Sequence, residues 1–209
     1  MAAQYGPARP IAPADLRFRL SRGRPEADDR RMPQQPPAPM NESRILESIT
    51  DSRTGLLNET YFQLRLEEEF KKSWRFRWTC SLILVAVEGL EELEAAEGRL
   101  AAEALLLDIA GEVLTASRDV DLSARLDDGC FGMLLPGTDA AGARTMIQRV
   151  MSAALDKVER RVSLSVGLTE GPQPDLSTCE DFLARARTAL DTARRQGANQ
   201  VVTWNSRAS

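Results

Sequence analysis

Apolar residues recur at helical spacing in Ile45, Leu46 and Ile49, and again in Phe62, Leu66 and Phe70, where Asn58 is placed to cap the second helix. The segment DSRTGLLN between them reads as a turn. Ser81 to Val87 is a short, unbroken apolar run, the pattern of a strand buried on both faces. From Leu90 to Ala116 the positions of Leu93, Leu100, Leu105, Ile109 and Val113 predict one long amphipathic helix with acids on its outer side. Asp121–Leu126 and Cys130–Leu135 flank Asp127-Asp128-Gly129, and an Asp-Gly pair between two apolar runs signals a β-hairpin. Ala140–Leu155 is helical in pattern, whereas Val162–Val166 alternates as a half-buried strand does. A last helix from Phe182 to Arg195 stops at Gly197, and Val201-Val202 begins a closing strand.

Strands alternating with helices around a central hairpin predict an α/β sandwich of ferredoxin-like type, a central sheet of about five strands flanked by helices. The first forty residues differ in character. They hold eight of the eleven prolines and seven arginines against four acids, and predict a disordered basic arm over 1–40 ahead of a folded domain over 41–205. Leu16, Phe18 and Leu20, interleaved with Arg17 and Arg19, are the alternative within it, a docking segment.

Charge and chemistry narrow the function. Residues 41–209 carry 27 acids against 20 bases, which argues against a nonspecific nucleic-acid binder. The absence of histidine excludes imidazole bases, Ser-His-Asp and Cys-His triads and His-ligated zinc. Cys80, Cys130 and Cys179, odd in number and far apart, suggest neither a disulfide framework nor a metal cage, and fit a reducing cytoplasm. The longest apolar run is far too short to span a bilayer, and the amino terminus lacks a signal-peptide core, so no membrane partner is expected. Lys71 to Trp78 interleaves four bases with three aromatics. That composition suits a stacking platform or an interfacial segment, but period-two alternation ahead of the first strand would turn the aromatics to the core, which is the reading taken. Cys130 reads as a small packed thiol rather than a redox centre.

Taken in order, DSRTGLLN, Ala124-Arg125-Leu126, the hairpin Asp127 to Phe131, Gly-Met-Leu-Leu-Pro136, Ser163 to Gly167, and Ala189-Leu190 through Gly197-Ala-Asn199 resemble the GGDEF domain of diguanylate cyclases, which join two GTP molecules into cyclic di-GMP. The resemblance runs from Asp51 to Trp204 and implies a nucleotidyl-cyclase-like fold. Arg53 stands where the opening motif has leucine. In the family, a carboxylate at the end of the first strand and one at the hairpin tip hold divalent cations. Here these positions fall on Ala86 and Gly129; the neighbouring glutamate becomes Cys130, and the two glycines become Asp127 and Asp128. The family's guanine-reading residues fall near Glu94 and Glu103, and its phosphate-binding pair falls on Arg194 and Ala198. The resemblance therefore implies an inactive cyclase with no metal and no cofactor. A shifted cation site built from Asp127, Asp128 and Glu88 is the alternative, although carboxylates at a hairpin tip are commonly turn formers.

Arg118-Asp-Val-Asp121 matches the family's product-binding inhibitory motif R-x-x-D in its offset from the hairpin, and Arg149 falls where a second arginine completes that site. An arginine fork suits guanine O6 and N7 or a phosphodiester, and a carboxylate accepts the N1-H and N2-H donors of guanine. With 24 Arg and 14 Asp in the chain, chance alone supplies one or two such pairs, and Arg125 with Asp128 forms another, so a plain surface ion pair stays open. The expectation is a cytoplasmic cyclic di-GMP receptor acting on an unidentified protein partner. A protein-interaction module without nucleotide binding and a weak GTP binder are the alternatives; a homodimer is left open.

Overall fold

Along the chain the elements are α1 (Glu42–Ile49), β1 (Leu57–Asn58), α2 (Glu59–Phe76), β2 (Cys80–Glu88), α3 (Leu90–Glu97), α4 (Arg99–Ala116), β3 (Leu122–Arg125), β4 (Cys130–Pro136), α5 (Ala140–Lys157), β5 (Ser163–Gly171), α6 (Cys179–Gln196) and β6 (Val201–Thr203). They are taken from a computed structural model that describes residues 42–127, 129–159 and 161–205. The expected arm over 1–40 and Asp128 lie outside the described residues.

One mixed sheet of six strands runs in the order β1-β3-β4-β2-β5-β6. β2 lies inside it, antiparallel to β4 on one side and β5 on the other. Its apolar run divides by parity. Ile83, Val85 and Val87 face a core built with α3, α4 and α5, whereas Leu82, Leu84 and Ala86 face a second core built with α2 and α6. A strand with helices on both faces has no polar side, which is why its sequence does not alternate. The sheet is wider than expected because the turn DSRTGLLN contributes β1, two residues parallel to β3 at Leu57↔Ala124 and Asn58↔Arg125. No helix among the described residues is long and apolar enough to cross a membrane.

Three other elements depart from expectation for local reasons. The single helix over 90–116 is two helices, because Gly98 adopts φ 90° and ψ 163°, a conformation that interrupts helical hydrogen bonding between α3 and α4. Leu100 consequently lies outside the core, 87% exposed. The segment 71–78 does not alternate into β2: α2 stays helical through Phe76 and ends where Arg77 turns left-handed at φ 57°. Phe76 and Trp78 are thus 58% and 41% exposed rather than turned to the core, their ring centroids 5.3 Å apart. β5 continues through Gly171 because it pairs with the whole of β2, from Glu88↔Ser163 to Cys80↔Gly171; at Gly167 it lies against α6, where a Cβ would come within 2.3 Å of backbone atoms of Ala186 and Leu190.

Asn58 shows how the elements are joined. Its side chain accepts from the backbone N–H of Tyr61 at 2.9 Å, capping α2, and donates to the carbonyl of Ser48 at 2.9 Å, fastening α1.

Candidate functional site

The register of β2 against β4 places Ala86 opposite Cys130, and the backbone N–H of Val87 donates to the Gly129 carbonyl at 2.8 Å. The end of the buried strand and the hairpin tip therefore meet, as a cation site shared between them requires. Neither position supplies a ligand. Ala86 is buried, and its methyl belongs to the core beneath α2 and α6. A Cβ at Gly129 would lie 3.5 Å from the Val87 carbonyl oxygen and 3.6 Å from a methyl of Leu90. Asp127 caps the turn, its Oδ1 accepting from the Gly129 N–H at 2.9 Å. Among the described residues no three His, Cys, Asp or Glu side chains gather to hold a metal ion, and the residues present do not fit the cations that the resemblance implies. Cys130 is half-buried. Burial pushes its thiol up to about 12, with Asp127 adding to the shift and Arg194 and Arg187 opposing it, so it is a neutral thiol at physiological pH.

Glu88, which follows on the same strand, is bound by Arg194 of α6, with Nε 2.7 Å from Oε1. That hydrogen bond raises the Arg194 guanidinium above its ordinary value against the opposing effect of burial. Among the described residues, the one base lining the adjoining cavity is therefore already held by an acid, and the rest of the wall carries Glu91, Glu92 and Glu94.

A neighbouring cavity of about 240 Å³ lies between the Arg53 turn and the α3–α4 junction, where guanine-reading residues were expected. Glu94 and Glu103 do line it, and Arg53, in the same wall, pairs with Glu103. Arg99 stands 3.7 Å from the same carboxylate, and buried Arg125 stands 4.0 Å from it and 3.8 Å from Asp51. Arg53 and Glu103 each depart from the motif, and in the structure each is the other's partner. Two unlike-charged departures in one motif set were the only signal of this contact in the sequence. Asp51 anchors the turn, accepting at Oδ1 from the backbone N–H and hydroxyl of Thr54 at 2.8 and 2.7 Å. Burial pushes its carboxyl up, yet these bonds and Arg125 hold it below its ordinary value.

Arg118 and Asp121 lie in the turn between α4 and β3, beside a cavity of about 360 Å³ that Leu57, Leu114 and Ser123 also line. The turn is closed twice. The Asp121 N–H donates to the Arg118 carbonyl at 3.0 Å, and the Arg118 N–H donates to Asp121 Oδ2 at 2.8 Å. The two side chains make no ion pair with each other. Asp121 Oδ1 is buried without a hydrogen-bond partner, and the Arg118 guanidinium is exposed and unengaged among the described residues. Arg149 is exposed on α5 and equally unengaged, and it is not among the residues lining the cavity.

Comparison with known proteins follows the same lines. The family model "Diguanylate cyclase, GGDEF domain" matches residues 48–200. Diguanylate cyclase DgcP of Pseudomonas aeruginosa is 27% identical over 168 residues, which cover 77% of this chain and 24% of DgcP. Among solved structures, the GGDEF domain of DgcB from Caulobacter crescentus, in complex with cyclic di-GMP, aligns with a TM-score of 0.70 at 19% identity, over 76% of this chain and 97% of that one. Diguanylate cyclase SiaD of P. aeruginosa, in complex with its activator SiaC, aligns with a TM-score of 0.68 at 27% identity, over 77% of this chain and 64% of SiaD. The chain spans less than half the length of the curated relatives DgcP and Treponema denticola diguanylate cyclase A.

Proposed function

The chain belongs to the GGDEF family, and from that premise we propose that it is a catalytically inactive member that binds cyclic di-GMP beside the α4–β3 turn. The observation that carries the first half is the pair Ala86 and Gly129, adjoining in the sheet and devoid of oxygen ligands. Joining two nucleoside triphosphates requires neutralising the triphosphate and activating a 3′-hydroxyl, work that divalent cations supply in this chemistry. In their place the chain offers a buried methyl, a bare backbone, and a wall of glutamates whose Arg194 is engaged by Glu88. A triphosphate arriving there meets repulsion rather than stabilisation.

The second half rests on Arg118, Asp121 and Arg149. Two exposed guanidinium groups without partners among the described residues match the two phosphodiester charges of cyclic di-GMP, the ligand held by the similar DgcB domain. Asp121, which lines the cavity, supplies a carboxylate acceptor for the N1-H and N2-H edge of guanine. Such a site works without a metal. Ligand binding then alters the association of the domain with a protein partner.

Isothermal titration of cyclic di-GMP into the full chain tests this reading. Saturable binding is expected, weakened about 10- to 100-fold in Arg118→Ala by loss of a charge-assisted fork. Arg149→Ala weakens it as well. Absence of heat from the wild type would leave the fold as a protein-interaction module without nucleotide binding.

A further inference from the structure

The interfacial reading of residues 71–78 falls away only if alternation turns their aromatics to the core, and it does not. α2 stays helical through Phe76, which leaves Phe76 and Trp78 in solvent at the turn into β2, 58% and 41% exposed. Their rings lie side by side, with centroids 5.3 Å apart. Arg75 lies over Phe76 at 5.5 Å from its centroid, and Arg77 over Trp74 at 5.1 Å. Both arginines are exposed, and neither guanidinium meets a carboxylate among the described residues.

We propose that this turn docks on an anionic lipid surface, with Phe76 and Trp78 entering the headgroup boundary and Arg75 and Arg77 meeting lipid phosphates. Aromatic side chains carry an apolar body into that layer, and a guanidinium stacked on a ring is weakly hydrated and follows at small cost. Charge selects the surface. Residues 41–209 are acidic as a whole, but acids on the adjoining elements are engaged inside the chain. Lys72 holds Glu69 at 2.7 Å, the Gly142 N–H donates to Asp139 at 2.8 Å, and the Ala140 N–H donates to Glu170 at 2.7 Å. The charges left unpaired on the turn itself, those of Arg75 and Arg77, are positive.

Position suits a flat partner. The turn opens β2 at the end of the sheet where Cys80 pairs with Pro136 on one side and Gly171 on the other. Glu88 lies at the far end of the same strand, about 26 Å away at 3.3 Å per residue, so contact here leaves the cavity beside Glu88 open. A single-stranded nucleic acid also uses rings and arginines, but it requires open ring faces and a basic track. Here Trp74 and Phe76 already carry an arginine each, and the domain beyond the turn is acidic. Two rings and two arginines form a reversible anchor, dependent on anionic lipid and weakened by salt.

Vesicles of phosphatidylcholine, alone or with an equal part of phosphatidylglycerol, test the proposal on the full chain, with acyl chains brominated so that they quench tryptophan on contact. Residues 1–40 carry seven arginines that attract anionic vesicles by themselves, but no tryptophan, so quenching reports the domain alone. Quenching is expected on the mixed vesicles and not on phosphatidylcholine, and it should fall as salt rises. Arg75→Gln should weaken it about fivefold. Phe76→Ser, which keeps all three tryptophans, should weaken it at least as much with an unchanged circular dichroism spectrum. Cosedimentation with the mixed vesicles without quenching places the contact on residues 1–40 and overturns the proposal, as does quenching that Phe76→Ser leaves intact. A labelled oligothymidylate that the wild type binds and Phe76→Ser does not, without quenching on vesicles, assigns the turn to single-stranded nucleic acid and likewise overturns it.

Discussion

Asp51 illustrates what a single carboxylate does in this fold. It ties the Thr54 N–H and hydroxyl into one turn and faces buried Arg125, so Asp51→Ala should destabilise the domain by about 1–2 kcal/mol in urea unfolding. The loss should depend on pH. The folded carboxyl titrates below its ordinary value of 3.8, so its contribution is complete above that value and disappears as pH falls through the depressed one, where both states are protonated. Wild type and variant should therefore differ at neutral pH and converge in acid. The Asp51–Thr54 turn is legible in the sequence because its partners are three residues apart. The Arg53–Glu103 pair is not, since fifty residues of chain separate its members and only the fold brings them together. Arg118 and Asp121 were legible as a motif, whereas the absence of an ion pair between them depends on a backbone N–H that takes the carboxylate first.

At the scale of elements, backbone contact decides what side-chain periodicity cannot. β5 and α6 pack so closely at Gly167 that a methyl there would overlap main-chain atoms, which cannot yield as a side chain can. Gly167→Ala should cost more than about 3 kcal/mol or prevent soluble expression. Gly111→Ala is the contrasting case. Its nearest neighbour would be the Lys157 ammonium at 3.7 Å, and replacing a glycine inside α4 should stabilise by about 0.5–1 kcal/mol. Thermal unfolding of the two variants side by side separates the effects. Order and type of the elements followed from apolar spacing, because buried faces dictate that spacing. The break at Gly98, the continuation of α2 to Phe76 and the two-residue strand β1 did not, because each depends on one residue's backbone conformation or on a partner strand far along the chain. The expected amphipathic helix also concealed that its outer side is apolar.

At the scale of the molecule, one sheet carries two surfaces of opposite character. The cavity at the β2 end is lined by Glu88, Glu91, Glu92 and Glu94 with Arg194 held by Glu88, whereas the α4–β3 turn and α5 present Arg118 and Arg149, unengaged among the described residues. A chain with 27 acids against 20 bases over residues 41–209 needs such a local reversal to attract an anionic ligand at all. Raising the salt concentration should accordingly weaken cyclic di-GMP binding, and the slope should flatten in Arg149→Ala if that charge faces the ligand. The family was legible in the order of short motifs; how Arg194 and Arg53 are held by neighbouring acids required the fold. The claim on which the account depends is that Ala86 and Gly129 cannot be replaced by neighbouring groups in holding cations. Purified full-length protein incubated with GTP and magnesium, with cyclic di-GMP quantified by chromatography, tests it most directly. No product above a protein-free blank is predicted, and steady accumulation of cyclic di-GMP would contradict it.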